Sequence, residues 1–285
     1  MSVRSLSLSG RREGGVRSKL FFLFFLASSV SAFEIINVTE YTVPGGIIKI
    51  IVKSDNVCGA QFLGRKYPLF REGKFFVGVI PVKMGISGRT KLTITEYRPF
   101  RKSRNTEREI VVQKKKFKVS KISLDRNKIP AYPEQEKKNL QSKLRGFSKR
   151  KFFEDFFYPL KKFNISGGFG ALRVDAKGRE LWRHKGVDLA APTGTSVSPV
   201  AGGRVILILK NSPVHGNAVL VDHGRGIKSI YIHLSEIDCR KGEVLDENSV
   251  LGKVGSTGIS TAPHLHLGIY LFGVPVDPVY ALEVL

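Results

Sequence analysis

Ala218-Val-Leu-Val-Asp-His-Gly-Arg-Gly-Ile-Lys-Ser-Ile-Tyr-Ile-His233 reads as two strands around a turn. Aliphatic runs flank Asp222-His-Gly-Arg-Gly226, whose two glycines suit a tight reversal. Working outward, Arg204-Val-Ile-Leu-Ile-Leu209 precedes the hairpin and His266-Leu-Gly-Ile-Tyr-Leu271 follows it. Both are short, β-branched or aromatic, and bounded by turn residues. Residues 160–285 are therefore expected to form a mostly antiparallel β-domain.

The same signals recur upstream. Ile47-Ile-Lys-Ile-Ile-Val52, Phe75-Phe-Val-Gly-Val-Ile80 and Lys91-Leu-Thr-Ile-Thr-Glu-Tyr97 are punctuated by Pro44-Gly45-Gly46 and Gly85-Ile-Ser-Gly88. Their spacing suits an immunoglobulin-like β-sandwich over 33–120. Residues 121–159 read as a basic linker with a helix. Glu134 to Phe157 has helical composition, and Phe147, Phe152, Phe153, Phe156 and Phe157 would supply its apolar face. The fold class expected for the 285 residues is thus all-β, with one connecting helix.

The formal charge is +23. Residues 101–151 hold 18 Lys/Arg against 5 Asp/Glu and carry most of that excess. Arg4, Arg11, Arg12, Arg17 and Lys19 precede the apolar run Leu20-Phe-Phe-Leu-Phe-Phe-Leu26, and Val30-Ser31-Ala32 follows it. This order is that of a secretory signal peptide, 1–32, with Phe33 the mature N-terminus. Export to a periplasm or an extracellular envelope is expected, with no transmembrane segment left after cleavage. Export argues against nucleic acid as the partner of the basic linker. A solvated face is the plain reading of that charge, and anionic cell-envelope polymer the functional one. Cys58 and Cys239 lack CxxC spacing and read as isolated buried thiols, although one disulfide is arithmetically allowed.

All six histidines lie between His184 and His266. Four fall in His184-Lys-Gly-Val-Asp188, Tyr231-Ile-His233-Leu and His264-Leu-His266. Side chains two apart on a strand share a face. That rule pairs His264 with His266 and Tyr231 with His233. It also aligns His184 with Asp188 in an extended chain, with Gly186 leaving room for an ion between them. His215 and His223, in loop or turn context, read as structural. A catalytic zinc takes three protein ligands and keeps one position open. Five candidates for three places leave two to serve as base and oxyanion donor. No HExxH glutamate is present. The residues suggest hydrolysis by metal-activated water, with imidazole in place of the more familiar carboxylate base. Such chemistry needs neutral imidazoles. A structural zinc site would want a fourth ligand, and nothing in the spacing of Cys239 supplies one.

In order and spacing these motifs, together with Gly216-Asn217, Gly252-x-Val-Gly-x-Thr-Gly258, Ser260-Thr-x-Pro-His264 and Pro275-Val-Asp-Pro278, resemble the lysostaphin/LytM-type zinc metallopeptidases that cut peptidoglycan cross-links. The resemblance covers about 160–280. It implies an antiparallel sheet of the lysostaphin type (a duplicated hybrid motif) and one zinc per chain, held by His184, Asp188 and His266. It implies that His233 and His264 flank the water and the substrate carbonyl. Tyr231 would line the groove, and Asn217 and the Ser166-Gly-Gly-Phe-Gly170 turn with Arg173 would shape it. The sequence departs from the family at Leu267, where an aromatic is usual, and by an extra residue between Ser166 and Arg173. The stretch from Ala60 to Ile94 is similar to a β-sandwich that often precedes this domain. Two rivals stand beside the hydrolase: a catalytically silent activator of other wall hydrolases, and a structural wall-binding protein working through its sandwich.

Overall fold

A computed structural model describes residues 33–124 and 126–285. The expected signal peptide lies outside the described residues. The described residues are nearly all β, as their patterning indicates. Residues 34–112 form two sheets. One has the order Glu34–Val38, Ile47–Lys53, Phe75–Pro81, Phe70–Glu72. The other runs Tyr41–Thr42, Arg104–Val112, Gly88–Tyr97, Val57–Phe62, Arg65–Pro68. The period of two explains the packing. Ile48, Ile50 and Val52 are buried opposite Ile80, Gly78 and Phe76, while Lys49, Ile51 and Lys53 are only half-buried. In the second sheet Leu92 and Ile94 are buried opposite Phe62 and Ala60. The inward faces meet in one apolar cluster, as in a sandwich.

The C-terminal half is built on a ten-stranded sheet. Its central path is Asn164–Gly167, Val187–Ala190, His264–Leu271, Ile227–Ile237, Gly216–Gly224, Gly203–Ser212 and Val244–Leu245. The predicted hairpin is present: Gly216–Gly224 pairs antiparallel with Ile227–Ile237 around Arg225 and Gly226. Both faces are covered, but differently. Leu265, Leu267, Ile269 and Leu271 enter the main core. On the other face Ala218, Leu220, Ile230 and Ile232 lie under Leu140 and Leu144 of the helix Glu134–Arg145. A smaller sheet joins Val119–Lys121, Leu172–Val174 and Glu180–Arg183. The sandwich and the large sheet are packed together. Tyr67 meets Phe272 edge-on at 5.4 Å, Arg65 donates to the Phe272 carbonyl at 2.7 Å, and Lys49 donates to that of Val284 at 2.9 Å.

The helix is shorter than its composition suggests. It carries Glu134 and Glu136 in its first turn and Lys143 and Arg145 in its last, a favourable arrangement for the helix dipole. It stops at Arg145, and Leu140 and Leu144 are its buried residues. The phenylalanines beyond it do not form one helical face, although Phe153 and Phe156 pack on each other with ring centroids 5.0 Å apart. Phe147 packs edge-on against Phe70 and Phe272, and the Phe157 N–H goes to the Val200 carbonyl. Cys58 and Cys239 are both buried free thiols, and their pKa values are raised by burial.

A polar chain crosses the core beneath the sheet. His223 Nδ1 lies 2.8 Å from the Gly202 carbonyl, which can only accept, so Nδ1 holds the proton and Nε2 accepts from Ser229 Oγ at 2.7 Å. Ser229 has one proton, so Tyr231 Oη donates to it across their 2.8 Å contact and accepts the Val200 N–H at 2.7 Å. Burial pushes the His223 pKa from 6.5 down to about 4. The folded value lies below the ordinary one, so protonation favours the unfolded chain. This stability is complete above about pH 6.5 and is lost as pH falls toward 4. Burial depresses His215, His233 and His266 in the same direction. The melting temperature of the metal-free protein should therefore decline steadily from pH 7 to 4, with His223 alone contributing on the order of 3 kcal/mol. A flat profile would contradict the buried neutral histidines.

Candidate metal centre

The His184–Asp188 stretch does not run as one strand. Glu180–Arg183 ends just before His184, the chain bends, and Val187–Ala190 begins in the large sheet. Asp188 thus comes from the large sheet and His184 from the bend that follows a strand of the smaller one. Gly186 does not leave space for an ion, as the extended reading expected. A Cβ there would stand 2.2 Å from the Leu267 carbonyl and 2.7 Å from His266 Nε2. Glycine lets the bend lie against the neighbouring strand.

Asp188 and His266 are direct cross-strand partners, and Ala190 pairs with His264. His184 Nε2, Asp188 Oδ1 and His266 Nδ1 converge: 2.9 Å from His184 to each of the others, and 3.0 Å from His266 to Asp188. His184 Nδ1 lies 2.9 Å from the Gly168 carbonyl, so it carries that ring's proton. Neutral His184 then turns a bare Nε2 lone pair toward a carboxylate oxygen. Two acceptors at this distance repel unless a cation sits between them. A proton or a metal ion is required. An ion bonded to nitrogen and oxygen at about 2.0–2.1 Å in tetrahedral geometry spaces its ligands by roughly 3.3 Å. The triangle needs to open by only a few tenths of an ångström. Two imidazoles and a carboxylate are also a donor set suited to zinc.

Charge and burial compete at Asp188. Burial alone would raise its pKa, but the facing His184 and His266 rings, which bind the carboxylate whenever a proton lies between them, hold it well below the ordinary carboxylate range. Burial pushes His266 down to about 4. The outer oxygen, Oδ2, accepts from Arg173 Nη2 at 2.6 Å. Arg173 is buried and grips the aspartate, so it is not free to shape a groove.

Two further imidazoles face the triangle. The His233 and His264 rings lie 4.8 Å apart, and His233 is 6.2 Å from His266. His233 Nδ1 is 2.7 Å from the Thr257 carbonyl, and His264 Nδ1 is 2.8 Å from the Ala262 carbonyl. Both protons are therefore on Nδ1, and both Nε2 atoms are bare. His264 Nε2 lies 3.7 Å from Asp188 Oδ1. Burial first, then the neighbouring His266 and His264, push His233 down to about 3.

Tyr231 is a correction to the sequence reading. It is fully buried, its hydroxyl is spent in the His223 chain, and it lines no groove. The period of two fails at His233, whose φ is +68°. That left-handed residue is uncommon for a non-glycine. It lets both Tyr231 and Leu234 enter the main core while the His233 ring turns to the site. Asn217 is also committed elsewhere. Its Nδ2 donates to the Leu234 carbonyl at 3.1 Å and its Oδ1 accepts the Asn211 N–H at 3.0 Å, which fixes the strand just after His233. His215 has the structural role expected of it: its carbonyl accepts the His233 N–H at 3.1 Å, and its Nδ1 lies 3.3 Å from Glu136 Oε1 of the helix. Sequence reasoning missed Glu136 and Ser120, which show no motif, and the carbonyls of Gly168 and Thr257. Both carbonyls lie inside recognisable glycine-rich turns.

Residues 182–278 match peptidase family M23. This stretch is an M23 peptidase domain. Over 125 residues the chain is 35% identical to the peptidoglycan DD-endopeptidase ShyA of Vibrio cholerae, covering 44% of this chain and 29% of that protein. It is 46% identical over 122 residues to the DD-carboxypeptidase/endopeptidase Mpg of Neisseria meningitidis serogroup B, covering 42% and 27%. The match thus spans under a third of either relative. The crystal structure of a Pseudomonas aeruginosa protein classed as peptidase M23 superposes with a TM-score of 0.61 at 28% identity, over 85% of this chain and 95% of that one. That likeness extends beyond the M23 domain.

The triangle generates a direct expectation. With zinc at a hundredfold excess over its Kd, the M23 domain should gain about 2.7 kcal/mol of stability in a melting experiment on the full chain. Asp188→Ala should lose that gain, and an unchanged shift in the variant would contradict the site.

Proposed function

We propose that this chain is a zinc-dependent endopeptidase that hydrolyses peptide cross-links of bacterial peptidoglycan. The observation that carries the reading is the convergence of His184 Nε2, Asp188 Oδ1 and His266 Nδ1 beside two imidazoles with bare Nε2 atoms. In this reading the first three residues hold one zinc ion. When bound, zinc supplies Lewis acidity that polarises a scissile carbonyl and acidifies water. His233 and His264 manage the protons. One Nε2 accepts a proton from the attacking water, and the resulting imidazolium donates a hydrogen bond toward the developing oxyanion and then passes that proton to the leaving amine; the other ring can donate through Nε2 only when it is itself protonated. Their Nδ1–H groups, tied to the Thr257 and Ala262 carbonyls, hold the rings in place throughout. The relatives' endopeptidase activities support this reaction class.

The chain is proposed to be exported, with cleavage before Phe33, and to divide into a sandwich (33–120), a connector (121–159) and the peptidase (160–285). The basic linker is further proposed to contact anionic envelope polymer. Just before it in sequence, Lys114, Lys115 and Lys116 line a cavity of about 430 Å3 with Arg183, Met84, Ile86 and Phe117, and Lys115 is also paired with Asp277 at 2.9 Å. Changing Lys114 and Lys116 to glutamine should weaken wall binding at low salt and leave it unaltered at high salt. Equal binding at low salt would remove the polymer from the account.

Digesting purified peptidoglycan of known chemistry and weighing the fragments tests the activity. Cross-linked dimers should fall to monomers with a mass gain of one water per bond. His233→Ala and His264→Ala should each lower turnover by about 100-fold or more while zinc stays bound. A protein that binds no zinc and cuts nothing, yet stimulates a second hydrolase, would favour the activator reading.

A further inference from the structure

Asp188 is the only one of the three converging residues with a second polar atom turned away from the triangle and bound to a cation. Arg173 Nη2 holds its Oδ2 at 2.6 Å, and Arg173 Nη1 lies 2.9 Å from Ser120 Oγ. Ser120 belongs to neither of the element pairs that carry the site. It lies on Val119–Lys121, between the last sandwich strand and the helix. This short strand adds in parallel to Leu172–Val174, with Ser120 directly opposite Arg173. Backbone bonds of 2.9 Å fix it at both ends, from Leu172 N–H to the Lys118 carbonyl and from Ile122 N–H to the Val174 carbonyl.

The surroundings are built around this pair. Gly167 is the strand partner of Asp188. A Cβ at 167 would stand 2.2 Å from Asp188 Oδ2 and 2.3 Å from Arg173 Nη2. The ion pair thus occupies the space a side chain would take. Arg173 and Asp188 are both largely shielded, with side chains 11% and 13% exposed. At such exposure a charged hydrogen bond constrains geometry more than it would at the surface. A carboxylate held through one oxygen has little freedom to rotate, so its other oxygen stays aimed at the triangle.

We infer that Ser120 and Arg173 are positioning residues of the metal site. The strand 119–121 fixes the Arg173 guanidinium, and Arg173 fixes Asp188 with Oδ1 toward the ion. A stretch outside the M23 match therefore tunes metal affinity, and the six residues 113–118 are all that separates it from the sandwich strand Arg104–Val112. The inference rests on the metal-site reading above, and the experiment keeps the two apart.

The test measures zinc affinity of the full chain by competition with a chromophoric chelator, independently of catalysis. Arg173→Gln should weaken zinc binding by roughly tenfold to a hundredfold. Ser120→Val keeps strand propensity and removes the hydroxyl, and should weaken it by about threefold to tenfold. Ser120→Thr restores the hydroxyl and should stay within about twofold of the parent. A parent affinity that needs Asp188, combined with unchanged affinity in both Ser120→Val and Arg173→Gln, overturns the inference and leaves the site intact. Equal losses in Ser120→Val and Ser120→Thr also overturn it, since the hydroxyl would then be irrelevant. A parent that binds no zinc, or binds it equally after Asp188→Ala, overturns the site and the inference together.

Discussion

The constraint on which this molecule turns is a crowding of lone pairs. The Gly168 carbonyl accepts the hydrogen bond of His184 Nδ1–H, and that contact leaves Nε2 bare within 2.9 Å of the Asp188 carboxylate. In the neutral protein a proton on His266 Nδ1, 3.0 Å from Asp188 Oδ1 and 2.9 Å from His184 Nε2, is placed to bridge the two, and a metal ion would take its place. The fold maintains the crowding because each member is fixed from behind: His184 by a turn carbonyl, Asp188 by Arg173, His266 by its place opposite Asp188 in the sheet. Such support from behind is what separates a binding site from an accidental cluster of polar side chains. The adjoining imidazoles are built the same way, each with its proton committed to a carbonyl and its other nitrogen free.

Both faces of the large sheet are needed for this. One face packs Leu265, Leu267 and Ile269 into the main core and so holds the strand of the histidine pair rigidly. The other face carries His264 and His266, next to an apolar patch sealed by Leu140 and Leu144. Alternation along a single strand thus gives a buried anchor and a reactive surface at once. The helix acts beyond sealing. Glu136 reaches Ser212 Oγ at 2.6 Å and stands near His215, whose carbonyl holds the backbone of His233.

Much of this was legible in the sequence, and the exceptions have physical causes. The strands, the hairpin at Asp222–Gly226 and the shared face of His264 and His266 follow from a period of two and from turn glycines. Tyr231 was misplaced because the rule that pairs it with His233 assumes extended backbone, and His233 is left-handed. His184 and Asp188 meet across a change of sheet, which no local pattern reveals. The helix was drawn too long because five phenylalanines looked like one apolar face, whereas they lie beyond the helix, Phe147 against Phe70 and Phe272 and Phe153 against Phe156. Ser120 carried no signal at all. Its role comes from a parallel pairing between segments some fifty residues apart, a contact invisible to any window along the chain.

The most direct test is a crystal structure of the zinc-loaded protein with anomalous data collected across the zinc edge. A single strong peak is expected within bonding distance of His184 Nε2, Asp188 Oδ1 and His266 Nδ1, with no fourth protein atom bound to it. A peak elsewhere, no peak at all, or a fourth protein ligand closing the site would contradict the account.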